Sequence, residues 1–219
     1  MRKFAVLSIM ILSAVSSIQA QTATKTFNIN DERGRDVVTF TSKAPLETIV
    51  GKTSKIKGFV EVDPRNLTNA KAKFEVDLAS LQTGIGLRDE HMREQYLETA
   101  KYPVAVFELT KVTTASIREL AEEKVIDMMV DGNFSVHGVT KAITIPVTIT
   151  YFKESESTKN SLPGDILTIS TKFNVLLSDY SITRPQFVIL KLDDKQVVDI
   201  NANASTGTPA PAFTEAEKN

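Results

Sequence analysis

Alternation of apolar and polar residues recurs along most of this chain, and no other feature constrains the fold as strongly. Phe74, Val76 and Leu78 alternate with three charged residues, and residues 126–136 and 143–151 show the same period of two. Successive side chains of a β-strand point to opposite faces, so this period predicts strands with one buried face. The β-branched and aromatic residues at the apolar positions suit such strands.

Short connections between these segments indicate how the strands pair. Residues 63–66 (Asp-Pro-Arg-Asn) and the pair His137-Gly138 each separate two well-patterned segments by only a few residues. Gly138 can take a positive φ at little cost, which suits a tight hairpin. Parallel strands need crossovers of about a dozen residues or more, so the sheet is predicted to be antiparallel.

The fold class predicted from this pattern is all-β, with a closed antiparallel barrel preferred over a sandwich. Closing a sheet removes its edge strands, and a barrel of about eight strands has an interior that side chains fill or that holds one small ligand. Composition alone does not separate the two architectures. Residues 21–203 are predicted to form one domain, since all-β domains often reach about 200 residues undivided.

Three segments lack the alternation. Residues 86–99 contain good helix formers with acidic residues in the first turn, and they are predicted to form one short helix inserted between strands. Residues 116–123 fit either a second helical turn or a charged hairpin tip. Residues 204–219 are rich in Ala, Thr and Pro and are predicted to be a disordered tail.

The N-terminus has the order of a secretory signal peptide. Arg2 and Lys3 precede an apolar run over residues 4–18, and Ala20 provides a small residue for cleavage. The run is shorter than the about 20 apolar residues of a membrane-spanning helix. Residues 1–20 are therefore predicted to be a signal peptide, and the protein to be exported, either periplasmic or secreted, without stable membrane insertion.

Composition excludes several classes of function. The chain contains no cysteine, which rules out disulfides, thiol catalysis and cysteine-ligated metals. Its formal net charge of −1 argues against a nucleic-acid partner, which would need a basic stripe for phosphates. Only two histidines exist, and they lack the close ligand spacing of a zinc site, so no metal is predicted.

The densest polar cluster contains Arg88, Asp89 and His91 and follows Gly84 and Gly86. In a structural role, Asp89 would cap the helix and pair with a nearby arginine. In a binding role, the arginine and the histidine would contact an anionic or quinone-like head group. A catalytic role would make the histidine a general base, but no nucleophile motif stands nearby. The structural interpretation is preferred, followed by head-group contact.

Inward-facing phenylalanines allow two interpretations of the barrel interior. They either pack against one another as a core or line a tunnel, and from the residues alone packing is the more common outcome. These phenylalanines are Phe40, Phe74, Phe107, Phe134 and Phe173.

Three segments carry a resemblance to a known family. Residues 81–108 (LQTGIGLRDEHMREQYLETAKYPVAVFE), 131–147 (DGNFSVHGVTKAITIPV) and 172–185 (KFNVLLSDYSITRP) resemble the signature segments of the YceI-like family. The likeness extends over about residues 26–202. It implies an eight-stranded lipocalin-like barrel with a helix over one side, an elongated cavity that binds polyisoprenoid chains, and a periplasmic or secreted location. The family commonly has no known enzymatic activity.

Site residues follow from the pattern and the resemblance together. Arg88, Asp89 and His91 match the family's charged motif, and Thr83 and Gly84 match the residues before it. The family often has phenylalanines after the histidine, whereas this chain has Glu94-Gln95-Tyr96-Leu97. The predicted head-group contacts are Arg88, Asp89, His91 and Tyr102. The predicted cavity residues are Phe40, Ile56, Phe74, Val76, Leu78, Phe107, Phe134, Val136, Ile145, Val147, Phe173 and Val175.

The function predicted from these observations is non-enzymatic binding and carriage of an elongated amphiphilic lipid, such as an isoprenoid quinone or a polyprenyl phosphate. No catalytic residue and no cofactor are predicted, the lipid being a bound ligand, and a homodimer is allowed. Two alternatives stay open. One is an exported stress-protection or interaction module with a filled barrel. The other is a lipid enzyme, which requires His91 near a carboxylate and a bound reacting atom.

Overall fold

The computed structural model describes residues 24–30, 33–184 and 192–214. The predicted signal peptide lies outside these residues. None of the helices within the described ranges has the length and apolar character needed to cross a bilayer.

Ten antiparallel strands form one sheet. Strand lengths follow the alternation, because each long apolar–polar row in the sequence becomes one strand with an inward and an outward face. The strands are β1 (Lys25–Ile29), β2 (Val37–Lys43), β3 (Thr48–Thr53), β4 (Ile56–Asp63), β5 (Asn66–Asp77), β6 (Val104–Ala115), β7 (Val125–Val136), β8 (Val139–Phe152), β9 (Ile166–Leu176) and β10 (Lys195–Ser205).

Eight of these strands close into a barrel, which confirms the predicted fold class. The order around the barrel is β1-β4-β5-β6-β7-β8-β9-β10, and β10 returns to β1 where Ser205 pairs with Asn28. Strands β2 and β3 form a hairpin on the first half of β10, with Gln196 opposite Ser42. Strand β10 is therefore flanked on one side by two strands in turn. β2 pairs with its first half, and β1 pairs with its end.

Turn chemistry fixes both ends of the barrel. At the end called upper here, Val136 pairs with Val139, and the two residues between them have positive φ, 53° at His137 and 75° at Gly138. A two-residue hairpin loop with both φ positive matches the twist of the flanking strands. At the lower end, Asp63 pairs with Asn66 across a tight turn. Both hairpins occur where the sequence predicts them.

The predicted helix is present but shorter than residues 86–99. An α-helix, α1 (Gly86–His91), continues as a single π-helical turn over Met92–Tyr96. The expected helix cap and ion pair of Asp89 do not form. Its carboxylate instead accepts hydrogen bonds from Thr83, while Arg93 donates to the Leu81 carbonyl oxygen at 3.3 Å.

Residues 116–124 form no helix but connect the antiparallel pair β6 and β7, so of the two predictions for residues 116–123 the hairpin is the correct one. They are an irregular loop beneath the lower end of the barrel, where the Leu120 amide donates to the Pro64 carbonyl oxygen at 2.7 Å. Ile117 and Leu120 pack against the buried core from below. The loop therefore covers the lower end.

The C-terminal segment corrects the predicted domain boundary at residue 204. Strand β10 runs through Ser205, and Ala204 and Ser205 are fully buried. Beyond the strand, the Phe213 ring packs edge-on against Phe59 at a centroid distance of 5.9 Å, and the Thr214 amide donates to the buried Glu75 carboxylate at 2.9 Å. Residues 212–214 thus lie on the outer wall of β4 and β5. Residues 215–219 are outside the described ranges.

Candidate functional site

An apolar cavity of about 460 Å³ fills the upper half of the barrel. Inward-facing residues of the barrel strands form its walls, because alternation places every second side chain inside. The β2–β3 hairpin, α1 with its π-helical turn, and the segment after β9 surround its upper part. Polar side chains occur chiefly where these peripheral segments meet, so the cavity has an apolar interior and a more polar rim.

A second cavity of about 120 Å³ lies in the lower half of the barrel. Its lining is apolar except for Thr171, and Leu120 of the covering loop contributes to it. Around it the core is tightly packed, with Phe27 and Ile126 both 0% exposed. The two cavities share five bordering residues, which form a layer across the barrel: Val76, Ala105, Phe134, Phe173 and Ile200.

All twelve predicted cavity residues lie on the wall of one or both cavities. Val76, Phe134 and Phe173 border both. The upper cavity alone is lined by Phe40, Leu78, Val136 and Val175. The lower cavity alone is lined by Ile56, Phe74, Phe107, Ile145 and Val147. The wall positions follow from the alternation, and contact of these residues with a ligand stays a prediction.

Arg88 is held at the rim of the upper cavity by several hydrogen bonds. Its Nε donates to Thr83 Oγ1 at 2.8 Å, and one terminal nitrogen donates to the Thr83 carbonyl oxygen at 3.2 Å. The other terminal nitrogen pairs with the Glu47 carboxylate at 3.1 Å. Asp89 completes this arrangement from a buried position, where it accepts from the Thr83 amide at 2.7 Å and from the Thr83 hydroxyl. The rim therefore presents a pre-organised polar group in which the guanidinium is already paired with a carboxylate.

The predicted head-group residues separate into two pairs. Arg88 and His91 line the upper cavity. Asp89 is only 7% exposed and accepts a hydrogen bond from Thr83. It therefore stabilises the loop at the rim without lining the cavity. Tyr102 lines neither cavity, which corrects its predicted placement.

The position of Tyr102 has a local cause. Its ring lies 4.7 Å from that of His137, and a Cβ at Gly138 would be 2.6 Å from the Tyr102 ring. The tyrosine thus packs against the β7–β8 hairpin. His137 donates from Nδ1 to the Tyr180 carbonyl oxygen at 3.1 Å and contacts Glu98 through Nε2 at 3.1 Å.

Several residues of the upper cavity were not predicted. Tyr96 and Leu97, which stand where the family often has phenylalanines, line it from the π-helical turn and its end. Ser42 and Gln196 are cross-strand partners on the same wall and are 1% and 6% exposed. Their inward position was visible as a polar residue at an apolar place in the alternation, but polarity alone did not mark them as cavity residues.

A cluster of three hydrogen-bonded ionisable side chains lies at the lower end, away from the upper cavity. Lys25, Tyr151 and Asp165 hydrogen-bond one another there. Burial opposes charge on Asp165, but hydrogen bonds from Lys25, the Glu154 amide and Tyr151 together lower the pKa of its carboxyl. Within the described ranges, His, Asp and Glu side chains form no group of three or more that could hold a metal ion.

A closed eight-stranded barrel with an apolar cavity under a short helix is a lipocalin-like binding architecture. A family model described as "YceI-like domain" matches residues 17–204. The chain therefore belongs to the YceI-like family, which confirms the resemblance in its sequence.

Curated relatives match over part of the chain. A "UPF0312 protein" of Vibrio campbellii is 33% identical over 98 residues, which are 44% of this chain and 48% of that protein. A "UPF0312 protein" of Shewanella denitrificans is 30% identical over 98 residues, 44% of this chain and 47% of its own length. The matched segment thus spans about half the length of these relatives.

Solved structures show the same fold at low identity. BcnA of Burkholderia cenocepacia has a TM-score of 0.61 at 17% identity, covering 78% of this chain and 96% of its own. A structure from Saccharophagus degradans, described as a polyisoprenoid binding domain, has a TM-score of 0.61 at 16% identity, covering 86% and 100%. The YceI protein of Campylobacter jejuni has a TM-score of 0.53 at 16% identity, covering 93% and 98%.

Proposed function

We propose that this protein binds and carries an elongated amphiphilic lipid, a polyisoprenoid, without catalysing a reaction on it. The upper cavity carries the proposal, because it is large, apolar and bordered by polar side chains at its rim. Its volume of about 460 Å³ falls within the range of roughly 300–1,000 Å³ typical of sites for small molecules. An interior of this kind suits a hydrocarbon tail, and the rim suits its polar end.

Binding would be driven by removal of the tail from water. Each methylene transferred out of water contributes about 0.8 kcal/mol, although large ligands realise only about 0.3 kcal/mol per heavy atom. About 20 carbon atoms would then contribute on the order of 6 kcal/mol, which corresponds to a dissociation constant of tens of micromolar. No directional chemistry is needed for this gain, and polar contacts at the rim would add to it.

The rim favours a neutral polar head group over a phosphate. Arg88 already pairs with Glu47 and donates two hydrogen bonds to Thr83. A polyprenyl phosphate would have to compete with the Glu47 carboxylate for the guanidinium. The carbonyls of an isoprenoid quinone need no such displacement, and His91 lies on the same cavity wall to contact them. We therefore favour a quinone as the head group.

Two further observations support the proposal. The chain belongs to the YceI-like family, and its structural neighbour from Saccharophagus degradans is described as a polyisoprenoid binding domain. The order of residues at the N-terminus supports export to a periplasm or beyond the cell, where a lipid would need a carrier through water. A filled-barrel interaction module has less support, because the upper half of the barrel is hollow.

The test is to identify what the protein retains when it is purified from its own cell. Native mass spectrometry, followed by organic extraction and chromatography of the extract, should show an isoprenoid quinone in about equimolar amount. Protein that is stripped of lipid should take up a quinone again from mixed micelles. Protein that is empty as isolated and also takes up no quinone or other prenyl lipid would contradict the proposal.

A further inference from the structure

Five side chains border both cavities inside the barrel. Val76, Ala105, Phe134, Phe173 and Ile200 come from five different strands, β5, β6, β7, β9 and β10, and each borders both cavities. We call these five residues the partition. Since each reaches inward from its own strand, together they form one layer across the barrel between the upper and the lower cavity.

Aromatic contacts hold the centre of the partition in place. The rings of Phe134 and Phe173 meet edge-on, with centroids 5.7 Å apart and an interplanar angle of 79°. Phe134 also meets the Tyr180 ring edge-on, with centroids 5.5 Å apart and an interplanar angle of 82°. Edge-to-face geometry at these distances is the favoured arrangement for aromatic pairs. Tyr180 is 3% exposed and Phe173 is 9% exposed, so Phe134 packs against two buried rings.

The walls on either side of the partition are both suited to hydrocarbon. Phe40 and Val175 line the upper cavity, while Phe74 and Ile145 line the lower one. An isoprenoid tail that reached the partition would find a matching apolar surface beyond it, in a space of about 120 Å³. Polarity therefore does not bar a tail from the lower cavity, and the side chains of the partition are what lies between the two spaces.

We infer that the partition is a chain-length ruler, which restricts the bound tail to the upper cavity and so selects short polyisoprenoids over long ones. This inference rests on the proposed function and names the ligand class more narrowly. Affinity should rise with each isoprene unit that still fits above Phe134 and Phe173, and it should stop rising once further units have no apolar space to enter.

The size of the effect follows from the number of atoms added. One isoprene unit has five carbon atoms, and at about 0.3 kcal/mol per heavy atom each buried unit raises affinity about tenfold. Units that remain outside the cavity contribute no such gain. The inference therefore predicts a break in the dependence of affinity on tail length, whereas one continuous tunnel through the barrel would show no break at this depth.

The test offers lipid-free protein an equimolar mixture of farnesol, geranylgeraniol and solanesol, which have three, four and nine isoprene units, in detergent micelles. Native mass spectrometry reads which alcohol is retained. For the unmodified protein, we expect geranylgeraniol to exceed farnesol about tenfold, and solanesol not to exceed geranylgeraniol. In Phe173→Ala the two cavities merge, and solanesol should become the preferred ligand by about tenfold or more.

Ile169→Ala is the matched control. Ile169 lies four residues before Phe173 on the same inward face of β9, is 8% exposed, and borders only the lower cavity. This variant enlarges the lower cavity but keeps the partition, so its order of preference should equal that of the unmodified protein. Phe134→Ala, which opens the partition from β7, should act as Phe173→Ala does. It provides the result if circular dichroism shows that Phe173→Ala does not fold.

Two different failures are distinguishable. If the unmodified protein already prefers solanesol and a folded partition variant leaves the order unchanged, the partition is not a ruler although lipid binding stands. The ruler is likewise contradicted if Ile169→Ala shifts the preference as far as Phe173→Ala. If the unmodified protein retains none of the three alcohols and also takes up no quinone, the proposed function itself fails, and the inference fails with it.

Discussion

The upper and lower halves of the barrel share most of their strands but differ in how their interiors are filled. In the lower half, Phe27, Ile126 and Leu167 are at most 1% exposed, and the remaining cavity is about 120 Å³. In the upper half, a cavity of about 460 Å³ is surrounded by side chains of the same apolar types. One half therefore resembles an ordinary core, and the other leaves room for a ligand.

The difference implies that the two halves contribute unequally to the stability of the fold. Closely packed interiors provide most of the free energy of folding, so a chain without disulfides needs at least one solid region. The lower half, with β1 and the loop that carries Leu120, supplies that region. The upper half can then contain a cavity. The stability lost through this missing packing would be regained when a hydrocarbon tail occupies the cavity.

The largest expected effect compares two phenylalanines, one in each half. Phe27→Ala removes a fully buried ring and should lower the free energy of unfolding by about 3–5 kcal/mol. Phe40→Ala removes a ring that borders the upper cavity and should cost less than half as much in lipid-free protein. Urea unfolding followed by circular dichroism measures both. Equal losses would show that the upper half is also a packed core.

A second prediction compares two glycines. A Cβ at Gly132 would lie 2.3 Å from the Phe107 ring and 2.7 Å from the Glu108 carbonyl oxygen, whereas a Cβ at Gly86 would meet nothing within 4 Å. Gly132→Ala should therefore destabilise the protein by about 1–3 kcal/mol through overpacking. Gly86→Ala, at the start of α1, should be neutral or stabilise by up to about 0.5 kcal/mol.

Thermal unfolding of both glycine variants beside the unmodified protein provides the measurement. A Gly132→Ala variant as stable as its Gly86→Ala counterpart would mean that the wall around Phe107 is loose enough to move aside. That result would weaken the contrast between a solid and a hollow half.

The strand pattern was predictable from the sequence because it depends on local periodicity. Residues 126–136 alternate between apolar and polar, and the next two residues, His137-Gly138, suit a tight turn. Together these features predict a β-hairpin. Closure of the barrel rests on a pairing between Asn28 and Ser205, which are far apart in the chain. The general tendency of sheets to avoid free edges favoured that closure, but it did not name the pair.

The hollow upper half was harder to predict, because an inward phenylalanine has the same sequence signature in a packed core and in a cavity wall. Phe40 and Phe74 illustrate this, since they line different cavities and were predicted together. Tyr102 was placed at the rim because it is polar, but its ring packs against a hairpin that is remote in sequence. The order of the C-terminal segment was not predicted, because it depends on scattered contacts such as those of Phe213 and Thr214 with strands remote in sequence.

The smallest expected effect is the pH dependence of stability that Asp165 produces in the closely packed lower half. The pKa of the Asp165 carboxyl is lowered in the folded protein, because hydrogen bonds from Lys25, the Glu154 amide and Tyr151 outweigh the opposing effect of burial. A carboxyl with a lowered folded pKa releases its proton more readily in the folded state. It therefore stabilises the fold above its ordinary pKa of about 4, and this contribution is lost as the pH falls through the folded value.

Replacing this carboxyl should remove a pH-dependent part of the stability of the lower half. We expect Asp165→Asn to lower the free energy of unfolding by about 0.5–1 kcal/mol at neutral pH, with the difference from the unmodified protein shrinking below a pH of about 4. Lys25→Met, which removes one donor to the carboxylate, should reduce the same acid-range difference. Urea unfolding across this pH range provides the measurement, and a difference that stays constant as the pH falls would mean that Asp165 stabilises the lower half through its shape rather than its charge.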